Sequence, residues 1–157
     1  MSFKGPTFLS PIRCDTSFNA TVDQIFLWRD FLKVFVHPWF HSPSKPTGFN
    51  ELCLEYTQRI RETVGELFKG ISKSLGLEEW YINKTMNMDL GLQVLIANLY
   101  LSCPQLEYAM GMLPYSDHNF LTLLIQNGIG GLQVQHKGQL FGWNPIPNSI
   151  LVNRRPS

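Results

Sequence analysis

The chain has 157 residues, 44% hydrophobic and 16% charged, with 13 Lys and Arg against 12 Asp and Glu. Abundant apolar and aromatic residues exclude a disordered chain, and the balanced charge excludes a protein that holds nucleic acid mainly by electrostatics. The length predicts one domain with a real core. The charged share is below the ~25% of typical soluble domains, so the surface is either polar but uncharged or apolar where a partner belongs.

Residues 1–24 carry Gly5, Pro6, Pro11, Asn19 and several Ser and Thr, which predicts an irregular leading segment. Ile25 to Val36 is rich in bulky apolar and aromatic residues and stops at His37-Pro38, the pattern of a strand. Two prolines and a glycine make Ser42 to Phe49 a loop.

From Asn50 to Leu75 the residues Leu52, Tyr56, Ile60, Val64, Leu67, Phe68, Ile71 and Leu75 recur at steps of three or four. They form the apolar stripe of a long helix. Asn50 is placed to cap its start, and Gly76 stands where a left-handed C-terminal cap belongs. A shorter helix is predicted over Glu78 to Met86.

Beyond Met88 short strand-like runs follow: Leu92 to Tyr100, Phe120 to Gln126, Leu132 to His136, Gln139 to Trp143 and Ile150 to Asn153. Gly, Pro or Asn separates most of them, and Lys137-Gly138 reads as a hairpin turn. Helices first and antiparallel strands afterwards predict an α+β layout, a helix backing a sandwich or jelly roll.

Cys14, Cys53 and Cys103 form no CxxC or CxxH spacing, so they are expected as buried reduced thiols rather than as a zinc site or disulfide framework. The N-terminus has no apolar run of signal-peptide type, and the longest apolar stretch, Leu95 to Leu101, contains Asn98 and cannot span a bilayer. A soluble, intracellular protein, cytoplasmic in location, is the expectation.

Chemistry concentrates between Met110 and Leu124. On an extended segment, residues two apart share a face, so Tyr115 and Asp117 point together and His118 points away. Spacing alone makes Asp117-His118 a turn dipeptide. His37 and His41 have i,i+4 spacing, but Pro38 argues against a helix there and so against a ligand pair. His136 is expected on an exposed hairpin strand. Gly128 to Gly131 lacks the Lys-Ser/Thr of a phosphate loop and reads as a turn, and Ser116 has no nucleophile elbow around it.

Trp28 to Lys33, Ser42 to Pro46, Ser74 to Leu77, Asn98 to Tyr100, Cys103 to Gln105, Leu121 to Gln126, Gly130 to Val134 and Asn144 to Ser149 occur in one order along residues 10–153. In these motifs the chain resembles the plant 2-oxoglutarate- and Fe(II)-dependent dioxygenases, the flavanone 3-hydroxylase-like, codeine-demethylase-like and isopenicillin-N-synthase-like enzymes. The resemblance implies a double-stranded β-helix, a jelly roll backed by one long helix, present here in part. It divides the chain into an irregular segment with one strand over 1–49, supporting helices over 50–88, an incomplete Fe(II)/2-oxoglutarate jelly roll over 89–153 and a divergent tail over 154–157. It also implies Fe(II) and 2-oxoglutarate as cofactors and a small plant metabolite as substrate, with no nucleic-acid or membrane partner.

Carried over by position, the resemblance makes Asp117 the carboxylate metal ligand, Tyr100 the hydroxyl that holds the 2-oxoglutarate carboxylate, and Asn98 a lining residue of the same pocket. Tyr115 stands at the first histidine position. A phenol is longer than imidazole and brings a proton and a charge change, so ordinary Fe(II) binding is weakened. The family's second metal histidine and its Arg-x-Ser clamp follow the position of Asn153, where this chain has Arg154-Arg-Pro-Ser157. No catalytic residue is assigned.

The expectation is therefore a family fragment inactive on its own. Its alternatives are a non-enzymatic protein that pairs with a related oxygenase chain, or a weak metal binder without turnover. Leu101, Ser102, Leu106, Leu113 and Tyr115 replace family Pro, Pro, Pro, Pro and His, each one C-to-T change away. That is the pattern of a gene copy drifting without selection on catalysis; an intact downstream exon encoding the missing His and Arg would refute it.

Overall fold

A computed structural model describes residues 10–16, 26–105, 107, 109–117 and 119–154. Most of the leading segment, Leu106, Tyr108, His118 and the tail after Arg154 lie outside the described residues. The chain divides into two compact units, Met1–Leu113 and Pro114–Ser157.

The first unit is built on a three-stranded antiparallel sheet in the order β1-β3-β4, from β1 (Ile12–Thr16), β3 (Asp30–His37) and β4 (Gln93–Leu99). β1 corrects the expectation of an irregular segment. Its pairing with β3, Ile12 opposite Val34 and Cys14 opposite Leu32, supplies partners that no local pattern announces. Pro11 sits just before the strand, where a missing N–H costs nothing, and its carbonyl still accepts from Phe35 N at 2.9 Å. The strand read at Ile25 to Val36 is two: β2 (Phe26–Leu27) pairs in parallel with β5 (Ala109–Met110), and β3 begins after Trp28-Arg29.

Alternation along the sheet sends Ile12, Leu32, Val34 and Leu95 to one face. That face packs against α1 (Phe49–Ser74), where Val34, Val36 and Cys53 form a buried cluster edged by Phe40 and Phe49. The helix does not start on an Asn50 cap. Gly48 precedes it at φ 83, which a glycine adopts without strain, and the Pro46–Gly48 turn hands the chain over through Phe49 N to Pro46 O. Its end is as expected. Gly76 at φ 71 donates to Lys73 O and Leu77 donates to Ser72 O, the paired bonds of a Schellman cap.

Residues 78–80 form a turn, so the second helix, α2 (Tyr81–Thr85), is shorter than predicted. A 3₁₀ turn over Met88–Leu90 leads into β4 and is tied to the rest of the unit. Arg61 donates to Met88 O and Asp89 O, and His37 Nε2 lies 2.7 Å from Asp89 O.

In the second unit, β6 (Leu121–Leu124) pairs with β9 (Leu151–Arg154), and β7 (Leu132–His136) forms a hairpin with β8 (Gln139–Trp143). Lys137 at φ 48 and Gly138 at φ 80 give the turn the double left-handed form that matches strand twist. The described ladders are four separate sheets. A closed jelly roll joins its strands into two larger ones, so the double-stranded β-helix is not assembled from them. No helix among the described residues is long and apolar enough to cross a membrane.

Candidate functional site

Asn98 and Tyr100 belong to the first unit. Asn98 lies on β4 directly opposite Phe31 of β3, which is in turn opposite Asp15 of β1. Opposed residues share a face, so this row belongs to the side of the sheet turned away from α1. Asn98 is exposed and borders a depression of about 630 Å³ whose lining includes Asp15, Asp30 and Phe31. Tyr100 follows the strand and is half exposed. A Cβ placed at Gly111 would lie 3.0 Å from Tyr100 Cε1, so any larger residue there requires the ring to move by a few tenths of an ångström.

Asp117 and Tyr115 belong to the second unit, on a stretch without regular structure over 112–117. Their environments differ. Tyr115 is 64% exposed, whereas Asp117 is half-buried and its Oδ2 accepts a 2.9 Å hydrogen bond from Asn153 Nδ2. Asn153 sits on β9 opposite Thr122 of β6, whose hydroxyl is buried without a hydrogen-bond partner. The partnership of Asp117 with Asn153 carries no sequence signal, because 36 residues separate the two and only the β6–β9 ladder brings them together.

A facial iron site needs two imidazoles and a carboxylate on one side of the metal. Among the described residues no three His, Cys, Asp or Glu side chains converge. Asp117 is the only carboxylate in Pro114–Ser157, and the residue two places before it is a phenol. These donors do not complete an Fe(II) site of the family type.

The rejected histidine pair stays rejected. His37 ends β3 and is bound to the 3₁₀ turn, and His41 follows Pro38 outside any helix. His136 is exposed on β7, as expected. The cysteines need a correction: Cys53 is buried, Cys103 is half-buried and Cys14 is exposed in the middle of β1. Burial pushes the Cys53 thiol above its ordinary pKa, and a hydrogen bond with Ser42 pulls partly the other way.

Comparison with known proteins fits this geometry to a class. Residues 91–157 match the model of the 2OG-Fe(II) oxygenase superfamily. The chain is 43% identical over 145 residues to 2-oxoglutarate-dependent dioxygenase 19 of Oryza sativa subsp. japonica, covering 92% of this chain and 43% of that protein. It is 36% identical over 148 residues to DMR6-LIKE OXYGENASE 2 of Arabidopsis thaliana, covering 90% of this chain and 41% of that one. The crystal structure of JOX2 in complex with 2OG, Fe and JA superposes with a TM-score of 0.76 at 27% identity, over 83% of this chain and 40% of JOX2. The chain is a relative of the plant 2-oxoglutarate-dependent dioxygenases, and its residues 91–157 belong to the 2OG-Fe(II) oxygenase superfamily. It spans less than half the length of the curated relatives it matches.

Proposed function

We propose that the 157-residue chain is a portion of a 2-oxoglutarate/Fe(II) dioxygenase fold, of the kind that oxidises small plant metabolites, and that it does not turn over 2-oxoglutarate by itself. One observation carries this reading: the family's metal carboxylate position, Asp117, is kept, while the histidine position two residues earlier holds an exposed tyrosine. Under this reading Asn98 and Tyr100 are the remnant of the cosubstrate pocket, and residues 89–153 are jelly-roll strands waiting for others.

Anaerobic titration of the purified chain with Fe(II) and 2-oxoglutarate tests it. No metal-to-ligand charge-transfer absorption is expected, and no succinate on admitting oxygen; the appearance of both would overturn the proposal.

A second reading has its own support. On the β7–β8 hairpin, Leu132, Val134, Phe141 and Trp143 share one face, and Val134, Phe141 and Trp143 are 45, 51 and 42% exposed. An isolated two-stranded ribbon is marginal in water, and apolar surface of this kind fits pairing with a related oxygenase chain. Size-exclusion chromatography with a full-length relative distinguishes the two, and an unshifted elution counts against pairing.

A further inference from the structure

The strand β1 is a sheet edge. It pairs with β3 on one side, and among the described residues no strand pairs with its other side. Phe35 N donates to Pro11 O, so in the alternation of an antiparallel ladder the backbone groups of Arg13 and Asp15 also turn toward β3. Those of Ile12, Cys14 and Thr16 turn outward. The Ile12 carbonyl accepts from Ser10 Oγ at 2.8 Å, and Cys14, in the middle of the five-residue strand, is exposed. An outward row of backbone donors and acceptors is a template for another strand.

The side chains say which strand fits. Arg13 and Asp15 flank Cys14 and are opposite in charge. A second copy of β1, laid antiparallel about a two-fold axis at Cys14, sets each Arg13 opposite the other copy's Asp15. These are the non-hydrogen-bonded pairs of the new ladder, where side chains come closest. Moving the axis to Arg13 sets arginine against arginine, and moving it to Asp15 sets aspartate against aspartate, so charge selects one register. The 2.9 Å Arg13–Asp15 contact within each copy becomes half of a four-membered network. Cys14 shares the α1 side of the sheet with Ile12 yet is exposed, so the helix leaves this part of the edge open. We propose that two copies of this chain pair through β1, antiparallel and centred on Cys14, which joins two three-stranded sheets into one of six strands. The contact uses neither iron nor the hairpin, so it goes beyond the oxygenase reading and survives or fails apart from it.

Sedimentation velocity of the full chain over a range of concentrations, under reducing conditions, tests the proposal. The expected result is a reversible monomer–dimer equilibrium. Arg13→Glu and Asp15→Arg should each weaken the dimer about tenfold, since every change acts twice across the axis, and the double charge swap should restore it. Thermal unfolding of each variant separates loss of the contact from loss of the fold, and the double swap keeps the test open if a single variant does not fold. A cross-link reads the register. Residues opposed in a hydrogen-bonded pair have Cα atoms about 5.5 Å apart, within the roughly 4.4–6.8 Å that a disulfide spans. Added diamide, a diazene, should take two electrons and two protons from the two Cys14 thiols, leaving one S–S bond between the copies and the corresponding hydrazine. Peptide mapping should find Cys14 joined to Cys14, and Arg13→Glu should reduce its yield. A chain that stays monomeric at all concentrations would overturn the proposal, as would a dimer that a folded Arg13→Glu variant forms undiminished.

Discussion

The two units solve the burial problem differently. All seven of the buried described residues, Val34, Val36, Cys53, Thr57, Phe68, Ser72 and Ile82, lie in Met1–Leu113. The described residues of Pro114–Ser157 form two ribbons with half-buried or exposed side chains throughout. A 26-residue helix laid on a sheet buries a face of each at once, whereas a two-stranded ribbon has no second layer to press against. The difference teaches that family signature and core are distributed separately here. The superfamily match runs over residues 91–157, and most of that span is the part with the least interior.

Truncating one buried and one exposed phenylalanine probes this contrast most strongly. Phe68 on α1 is 1% exposed, so Phe68→Ala should cost about 3–5 kcal/mol and lower the thermal midpoint of the first unit severely. Phe141→Ala on the hairpin, 51% exposed, should change stability by less than about 0.5 kcal/mol. Comparable losses from the two would show that the hairpin has a hidden core.

The next effect is local. Gly138 holds φ 80 in the β7–β8 turn, and an alanine there pays roughly 1–2 kcal/mol for the left-handed backbone. Hydrogen exchange should show amides of Leu132–His136 losing protection in Gly138→Ala while those of β3 are unchanged. Coupled loss in both would mean that the units open together.

The smallest effect is electrostatic and belongs to the first unit. The Cys53 thiol has a raised pKa in the fold, so the unfolded chain gives up that proton first. The stabilisation is fully present below the ordinary thiol value of 9.0 and is lost as pH rises through the raised folded value. Denaturant midpoints should therefore fall more steeply above pH 9 for the parent chain than for Cys53→Ala, and identical slopes would dismiss the effect.

Much of this was legible in the chain itself. The stripe from Leu52 to Leu75 announces α1 within a residue at either end, because helical periodicity is a local property. Gly76 and Lys137-Gly138 announce a cap and a turn, because few residues tolerate positive φ. The ordered motifs from Trp28 to Ser149 announce the likeness to plant 2-oxoglutarate-dependent dioxygenases.

Other features existed only once distant segments met. β1 is a strand because β3 offers it a ladder, and Gly48 displaced Asn50 from the helix start because the preceding turn set the angle of approach. Asn153 reaches Asp117 because β9 pairs with β6. Arg13 faces Lys33 because the β1–β3 register puts residues 20 apart in sequence side by side. Composition hinted at apolar surface without a partner; only the fold located it, and it lies in both units, on Leu52, Trp80 and Ile96 of the first as on Val134 and Phe141 of the hairpin, because neither has a further layer to bury them against.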